Sequence, residues 1–305
     1  MDAQYAAAYP ELYRRHWWWR VREDILLRTI RGMLAGVPNA RILDVGCGAA
    51  LFFDALEPFG HVEGVESDRT AVEGSGKWRS RIAIGNLDSA YEPAAPFDLI
   101  LMLDVVEHIQ DTDQLLRRAA EILTPTGRIL VTVPAFNSMW TTHDDMNQHV
   151  TRYTAGELRS TLTRAGLRVI QTQYLFQSLV LPKLLVRATE MLALRAPRVP
   201  GLAPAPIDKF LQAWCRAEYA LAGWMPFGSS VLAVASRSAE PTYDSRRGSR
   251  VIVATAGMVH CSPRVRGSEH ARLVQLELLR CLAIVLVLGR HMVPCPSQQT
   301  PRSAD

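Results

Sequence analysis

The chain has no apolar run that would cross a bilayer unaided. Its two apolar stretches after residue 175 are broken by Pro182, Lys183 and Arg187, and Cys281–Gly289 is too short to span. Residues 1–35 are polar and aromatic with no apolar core of the signal-peptide kind, so no secretory leader is expected. The five cysteines, Cys47, Cys215, Cys261, Cys281 and Cys295, form no CxxC pair and no metal-finger spacing. That excludes a zinc ribbon or a disulfide framework and fits reduced thiols in a cytoplasmic protein. A basic body is missing too: nine arginines against four acids from Pro241 onward carry +5, leaving about −1 for residues 1–240. No nucleic-acid partner is expected on that balance.

What is present is 305 residues, 48% hydrophobic and 21% charged, enough for one large core and an appended segment. From Arg41 onward short apolar runs alternate with helical patterns, as in an α/β fold whose sheet is covered on both faces. Strands are expected at 41–45, 61–66, 81–85, 97–103, 128–134, 167–174 and 230–235, with Pro125-Thr126-Gly127 as a turn. Helices are expected at 11–35, 50–58 and 111–123. A further one, capped by Thr154 and Glu157, is stopped by Gly166.

The organising stretch is Arg41-Ile42-Leu43-Asp44-Val45-Gly46-Cys47-Gly48-Ala49-Ala50, a strand that breaks into close glycines and then a helix start. Without a Cβ, Gly46 and Gly48 let backbone and a helix N-terminus approach a polar ligand. Asp44 would repel a pyrophosphate, whereas a cationic ligand without phosphate would welcome it. This disfavours a nicotinamide oxidoreductase, as does the missing Gly-x-Gly-x-x-Gly ending. Glu66, about twenty residues further on at a strand end, stands where a carboxylate accepts from both ribose hydroxyls, with Asp68 as the weaker substitute.

The stretch resembles the first motif of class I S-adenosylmethionine-dependent methyltransferases, of the bacterial type 11/12 group, with Ala50 at the third glycine position. A second match is Phe97-Asp98-Leu99-Ile100 running to Asp104-Val105-Val106-Glu107-His108, and a third lies over 128–153. The resemblance covers residues 11–237. It implies a Rossmann-like, doubly wound, seven-stranded and mostly parallel sheet, its last strand antiparallel, with an N-terminal cap helix and a helical insertion before that last strand. It implies S-adenosylmethionine as cofactor, Asn86 or Asp88 reading the adenine, and Asp104 lining the cofactor. His16-Trp17-Trp18-Trp19-Arg20-Val21-Arg22 is similar to a His-Trp-Trp-Phe-x-x-Arg segment of one bacterial subgroup in which such a helix covers the site, and His16, Trp17 and Arg20 are the residues expected over it; tryptophans that merely dock the helix are the plainer alternative.

Methyl transfer to oxygen needs an aligned acceptor and a way to take its proton. Asp104, Glu107 and His108 have i, i+3, i+4 spacing, so a helical turn would gather them. With His149 or His143 from the long 135–153 loop they form a candidate site for Mg2+ or another divalent cation. His108 or His149, with Glu107, is the candidate base. Asp-x-x-Glu-His resembles ubiquinone-biosynthesis O-methyltransferases, and a related Glu-x-x-Glu-His occurs in metal-dependent small-RNA 2′-O-methyltransferases. The plainer alternative is that Glu107 and His108 only stabilise a turn.

The expected organisation is cap helices over 1–38, a methyltransferase domain over 39–237 with a helical insertion at 175–229, a linker over 238–272, and an apolar segment and tail over 273–305. The insertion reads as a substrate lid, with a dimer face or a peripheral contact at the inner membrane as alternatives. Residues 273–293 resemble the first helix of a membrane acyltransferase family, truncated. The acceptor is then a small molecule or a lipid- or glycan-linked group. The competing reading is a catalytically inactive cofactor-binding scaffold at a membrane glycan pathway.

Overall fold

A computed structural model describes residues 3–192, 201–220 and 225–238. The linker and tail expectations beyond 238 lie outside the described residues. Two helices, α1 (Ala3–Arg15) and α2 (Trp17–Met33), precede β1 (Ala40–Val45). The chain continues through α3 (Phe53–Leu56), β2 (Gly60–Glu66), α4 (Arg69–Glu73), β3 (Ile82–Ile84) and β4 (Phe97–Leu103). Then come α5 (Thr112–Glu121), β5 (Leu123–Pro134), α6 (Thr142–Met146), α7 (Ala155–Arg164) and β6 (Leu167–Leu175). Insertion helices α8 (Val180–Met191) and α9 (Ala205–Tyr219) lead to β7 (Ser230–Arg237).

The seven strands lie in the order β3-β2-β1-β4-β5-β7-β6, the five from β1 to β5 parallel and β7 antiparallel to both of its neighbours. This is the doubly wound, mostly parallel sheet the sequence leads one to expect. Strand periodicity builds two cores. Leu99, Leu101, Leu130, Leu232 and Val234 face one side, with Ile25, Ile30 and Leu211 from α2 and α9. Ile100, Met102, Ile129, Val131, Val231 and Ala233 face the other, with Leu116 from α5 and Leu158 and Leu162 from α7.

Three boundaries differ from expectation. The single helix foreseen over 11–35 is broken at His16, which is extended (φ −79°, ψ 131°) and whose Nδ1 accepts from Trp18 N at 3.2 Å. An imidazole has taken the N-cap place usual for Ser or Asp, so no standard stop signal marks the break. The helix foreseen over 50–58 shortens to α3 and a 3-10 turn over Glu57–Phe59. Pro125-Thr126-Gly127 is no turn but part of β5, whose pairing with β4 shifts between Phe97 and Leu99. Extra residues are absorbed there as a bulge.

The insertion folds as two helices. α9 joins the core beside α2, where Arg216 Nε donates to Asp24 Oδ2 at 2.7 Å. α8 packs its polar residues inward: Arg187 Nη1 donates to Trp140 O at 2.6 Å, and Glu190 accepts from Thr142 N and Oγ1 at 3.0 and 2.8 Å. Its Leu181, Leu184, Leu185 and Met191 are exposed. Among the described residues no helix is long and apolar enough to cross a membrane.

Candidate functional site

Both halves of the site lie at the carboxyl ends of the parallel strands, where such sheets hold their ligands. After β1 the chain turns through Gly46 (φ +68°) and Gly48 (φ +54°). A Cβ on Gly46 would stand 2.7 Å from Val105 Cγ2, so both conformation and space require glycine there. Gly48 N donates to Glu66 Oε2, and Asp68 N donates to Glu66 Oε1, each at 2.8 Å. The end of β2 is thereby fastened to the turn. Asp68, the weaker ribose candidate, is occupied as the cap of α4, accepting from Thr70 N and Ala71 N.

Beside the turn opens a narrow cleft whose walls include Asp44, Gly46, Tyr9, Tyr13, Trp19 and Arg22. Asp44 is buried, and burial, with a smaller push from Glu66 against the pull of Arg22, raises its carboxyl to about 7. Arg22 Nη2 lies 2.9 Å from Asp104 Oδ2 and donates to Thr132 Oγ1 at 2.8 Å, while that hydroxyl donates to Asp104 Oδ1 at 3.0 Å. Tyr13 OH donates to Glu23 Oε2 at 2.5 Å.

The cap helices therefore reach the cleft, through side chains other than those singled out. Trp17 is packed in the core beneath α2, His16 is spent on its cap, and Arg20 is exposed with Nη1 on Arg14 O at 3.4 Å. None of the three lines the cleft; Trp19 and Arg22 do, one helical turn apart. The His-Trp-Trp-Phe-x-x-Arg spacing held the signal, since counted from His16 its final Arg is Arg22. Past β3, Asn86 is exposed, and Asp88 accepts from Ala90 N at 2.9 Å through its carboxylate and from Arg118 Nε at 3.0 Å through its carbonyl.

The second half follows β4. Asp104 adopts φ +59° and is held by Arg22 and Thr132, while residues 106–108 form a 3-10 turn. Asp104 lies outside that turn and does not join the cluster foreseen with Glu107 and His108. Glu107, His108 and His149 do converge, each offering a ligand atom within 4.8 Å of the others, whereas His143 does not take part. His108 and His149 meet edge to face with centroids 4.8 Å apart. Glu107 is fully buried, and neither carboxylate oxygen has a hydrogen-bond partner among the described residues. Burial and the nearby Asp104 push its carboxyl well above the usual range.

The loop after β5 closes on this turn. Val150 N donates to Glu107 O at 2.7 Å, and His108 Nδ1 is 3.3 Å from Gln148 O. Burial and the neighbouring His149 lower the His108 imidazole. The half-buried His143 falls to about 4, through desolvation and then the nearby Lys183. Sequence reading passed over Asp144 and Arg152: Arg152 donates to both oxygens of Asp144, from Nε at 2.8 Å and from Nη2 at 2.7 Å. Burial opposes the Asp144 charge, but the bonds from His149 and Arg152 outweigh it and hold the carboxyl well below the usual range. The Thr141-x-x-Asp144 capping-box spacing was the available signal.

A family model described as "Methyltransferase domain" matches residues 16–172. A ubiquinone biosynthesis O-methyltransferase of Caulobacter sp. (strain K31) is 32% identical over 127 residues, covering 36% of this chain and 48% of that protein. The enzyme of the same name from Bradyrhizobium diazoefficiens is 34% identical over 106 residues, covering 33% and 41%. The chain thus spans about half the length of the curated relatives it matches or less. Among solved structures, a SAM-dependent methyltransferase from Archaeoglobus fulgidus aligns at TM-score 0.47 and 13% identity, covering 70% of this chain and 94% of that one.

Proposed function

The chain belongs to the methyltransferase-domain family, and from that premise we propose that it moves a methyl group from S-adenosylmethionine to an oxygen of a small or lipid-linked acceptor. The observation that carries the reading is the buried Asp44 carboxyl, set at a glycine turn in a cleft walled by Tyr9, Tyr13 and Trp19. Such walls suit a cation without phosphate, by charge and through ring faces. When bound, S-adenosylmethionine supplies an electrophilic methyl carbon on a sulfonium. Gly46 and Gly48 would give its backbone approach, and Glu66, anchored by Gly48 N and Asp68 N, is the carboxylate that would accept from the ribose hydroxyls. Asn86 or Asp88, past β3, is the residue that would read the adenine, and Asp104, steadied by Arg22, would line the cofactor.

On the acceptor side, His108 and His149 are the candidate bases, with Glu107 beside them. The same three fit a divalent cation: two imidazoles and a buried carboxylate whose oxygens have no competing partner. A cation there would lower the acceptor hydroxyl's pKa, so proton removal would need no strong base. Oxygen as the target is supported by the names of the two relatives reported above, both ubiquinone biosynthesis O-methyltransferases. A lipid-linked acceptor is supported by the exposed apolar stripe of α8, whose polar residues are already engaged with the 140–142 segment.

Calorimetry with S-adenosylmethionine, followed by methyl release to 3,4-dihydroxybenzoate and to bacterial lipid extract, tests the proposal. Micromolar binding that Asp44→Asn weakens, with methyl transfer to either acceptor, is expected. Binding without transfer to any acceptor would favour the inactive scaffold, and absence of binding would end the reading. EDTA decides between base and cation. Activity that EDTA abolishes and Mn2+ restores, in the parent but not in Glu107→Gln, assigns the trio to a metal; activity indifferent to EDTA assigns it to proton transfer.

A further inference from the structure

One buried anion in the site touches neither the cofactor cleft nor the proposed acceptor position. Asp144 is fully buried, and every direction around its carboxylate is filled by a donor. Oδ1 accepts from Arg152 Nε at 2.8 Å and lies 2.8 Å from His149 Nδ1; Oδ2 accepts from Arg152 Nη2 at 2.7 Å, Thr141 N at 2.8 Å and Thr141 Oγ1 at 3.2 Å. Arg152 is fixed in turn, its Nη1 donating to Ala135 O at 3.1 Å and its backbone N to Asn137 Oδ1 at 3.0 Å.

An ionised carboxylate has no proton to give, and one paired with a guanidinium fork is an acceptor only. The hydrogen between Asp144 and His149 therefore belongs to Nδ1. A neutral imidazole carries one proton, so its lone pair is left at Nε2. The His149 ring stands edge to face with His108, and the two rings share a 4.8 Å cluster with Glu107. The backbone on both sides of His149 is tied down as well: His149 N donates to Asp144 O at 3.0 Å, and Val150 N to Glu107 O at 2.7 Å. Neither the ring nor the chain that carries it is free to turn.

We infer that Asp144 is a positioning residue: held by Arg152, it fixes the Nδ1–H tautomer of His149 and so delivers the Nε2 lone pair to the place shared by Glu107 and His108. It touches no reacting atom itself. The catalytic consequence rests on the O-methyl transfer proposed above, in which His149 acts through Nε2 whether toward a hydroxyl proton or a cation; the tautomer itself does not depend on that reading. Carboxylates that orient a working imidazole in this way commonly matter by about 10- to 100-fold in rate or metal affinity.

The test is long-range 1H–15N spectroscopy of the full chain labelled with 15N-histidine, the His149 signals being those lost in His149→Gln. Nδ1–H is expected for the parent, and an Nε2–H tautomer would overturn the inference without any other variant having to fold. In Asp144→Asn the same spectrum should show a mixture. Methyl release to 3,4-dihydroxybenzoate should fall about 10- to 100-fold in kcat, with S-adenosylmethionine affinity within twofold of the parent. A merely structural role would lower melting temperature and leave the tautomer and kcat of the folded fraction alone, which also overturns the inference. Should the parent release no methyl group to any acceptor, the proposed function fails while the parent spectrum still decides the tautomer.

Discussion

Arg22 and Asp104 form a 2.9 Å ion pair that ties α2 to the end of β4 beside the cleft that Arg22 lines. The Arg22 side chain is 11% exposed and that of Asp104 39%, so the pair is partly screened. Removing the guanidinium leaves the side chains of Asp104 and Thr132 with only each other and takes away the polar tie between α2 and the end of β4, while the apolar face of α2 stays in the core. Arg22→Met is expected to cost about 1–2 kcal/mol in urea unfolding and to weaken S-adenosylmethionine by about tenfold. Unchanged melts together with unchanged affinity would show that the cap helices stay in place without this tie.

A pH dependence follows from Asp44. Its carboxyl is raised to about 7 in the folded chain by burial, against an ordinary 3.8. A raised carboxyl means the folded state holds the proton more tightly, so this group's contribution to stability is greatest below about pH 4 and is lost as pH rises through 7. The loss reaches about 4 kcal/mol at most. Cation binding runs the other way, because only the ionised carboxylate attracts the ligand. Arg22, Glu66, Cys47 and Tyr9 surround it, and burial pushes the last two above the range concerned. Between pH 6 and 7.5 S-adenosylmethionine should tighten about eightfold in the parent, as the ionised fraction grows. In Asp44→Asn it should bind weakly and with no such trend.

The sheet was legible because its strands are short apolar runs separated by punctuation that admits few alternatives: Gly46 and Gly48 after β1, Pro58 before β2 and Gly60 at its start, Gly166 before β6. The site was legible only in part. Asp44, Glu107, His108 and His149 announce themselves by residue type and spacing, and the structure places the last three together. Asp104 was grouped with them on the assumption of an α-helical turn. A 3-10 turn that begins at Val106 instead leaves it facing Arg22. Trp19 and Arg22 were passed over in favour of Trp17 and Arg20 although the His-Trp-Trp-Phe-x-x-Arg spacing, counted from His16, puts its aromatic on Trp19 and its final Arg on Arg22. Asp144 lies in the short α6 and Arg152 beyond it, a pairing that no period announces, and only the Thr141-x-x-Asp144 capping-box spacing hints at the first of them.

Ala50 carries a testable trace of the motif it departs from. It stands at the third glycine position, is 2% exposed, and adopts φ +56°. A Cβ in that region costs roughly 1–2 kcal/mol, which glycine avoids at the expense of some unfolded-chain entropy. Ala50→Gly should therefore stabilise the fold by up to about 1 kcal/mol in urea unfolding, an unusual sign for a glycine placed in a buried position. Destabilisation by 1 kcal/mol or more would mean that the packing of the Ala50 methyl outweighs its backbone strain.

The outward face of α8 bears on the acceptor. In a helix that only covers a core the apolar stripe points inward, yet here Arg187 and Glu190 point in and bond the 140–142 segment. Leu181, Leu184 and Leu185 point out, two of them separated by one helical turn. Leu184 and Leu185 are 38% and 46% exposed, so losing them on the surface should leave stability within about 0.5 kcal/mol of the parent per site. If the face meets lipid, covering that remaining area contributes about 1 kcal/mol per leucine. The double variant Leu184→Gln/Leu185→Gln should then bind phosphatidylglycerol–phosphatidylethanolamine vesicles about 30-fold more weakly in co-sedimentation, while its methyl release to the water-soluble 3,4-dihydroxybenzoate stays at the parent rate. A parent chain that remains in the supernatant at all vesicle concentrations removes the lipid surface from the account and leaves a soluble acceptor.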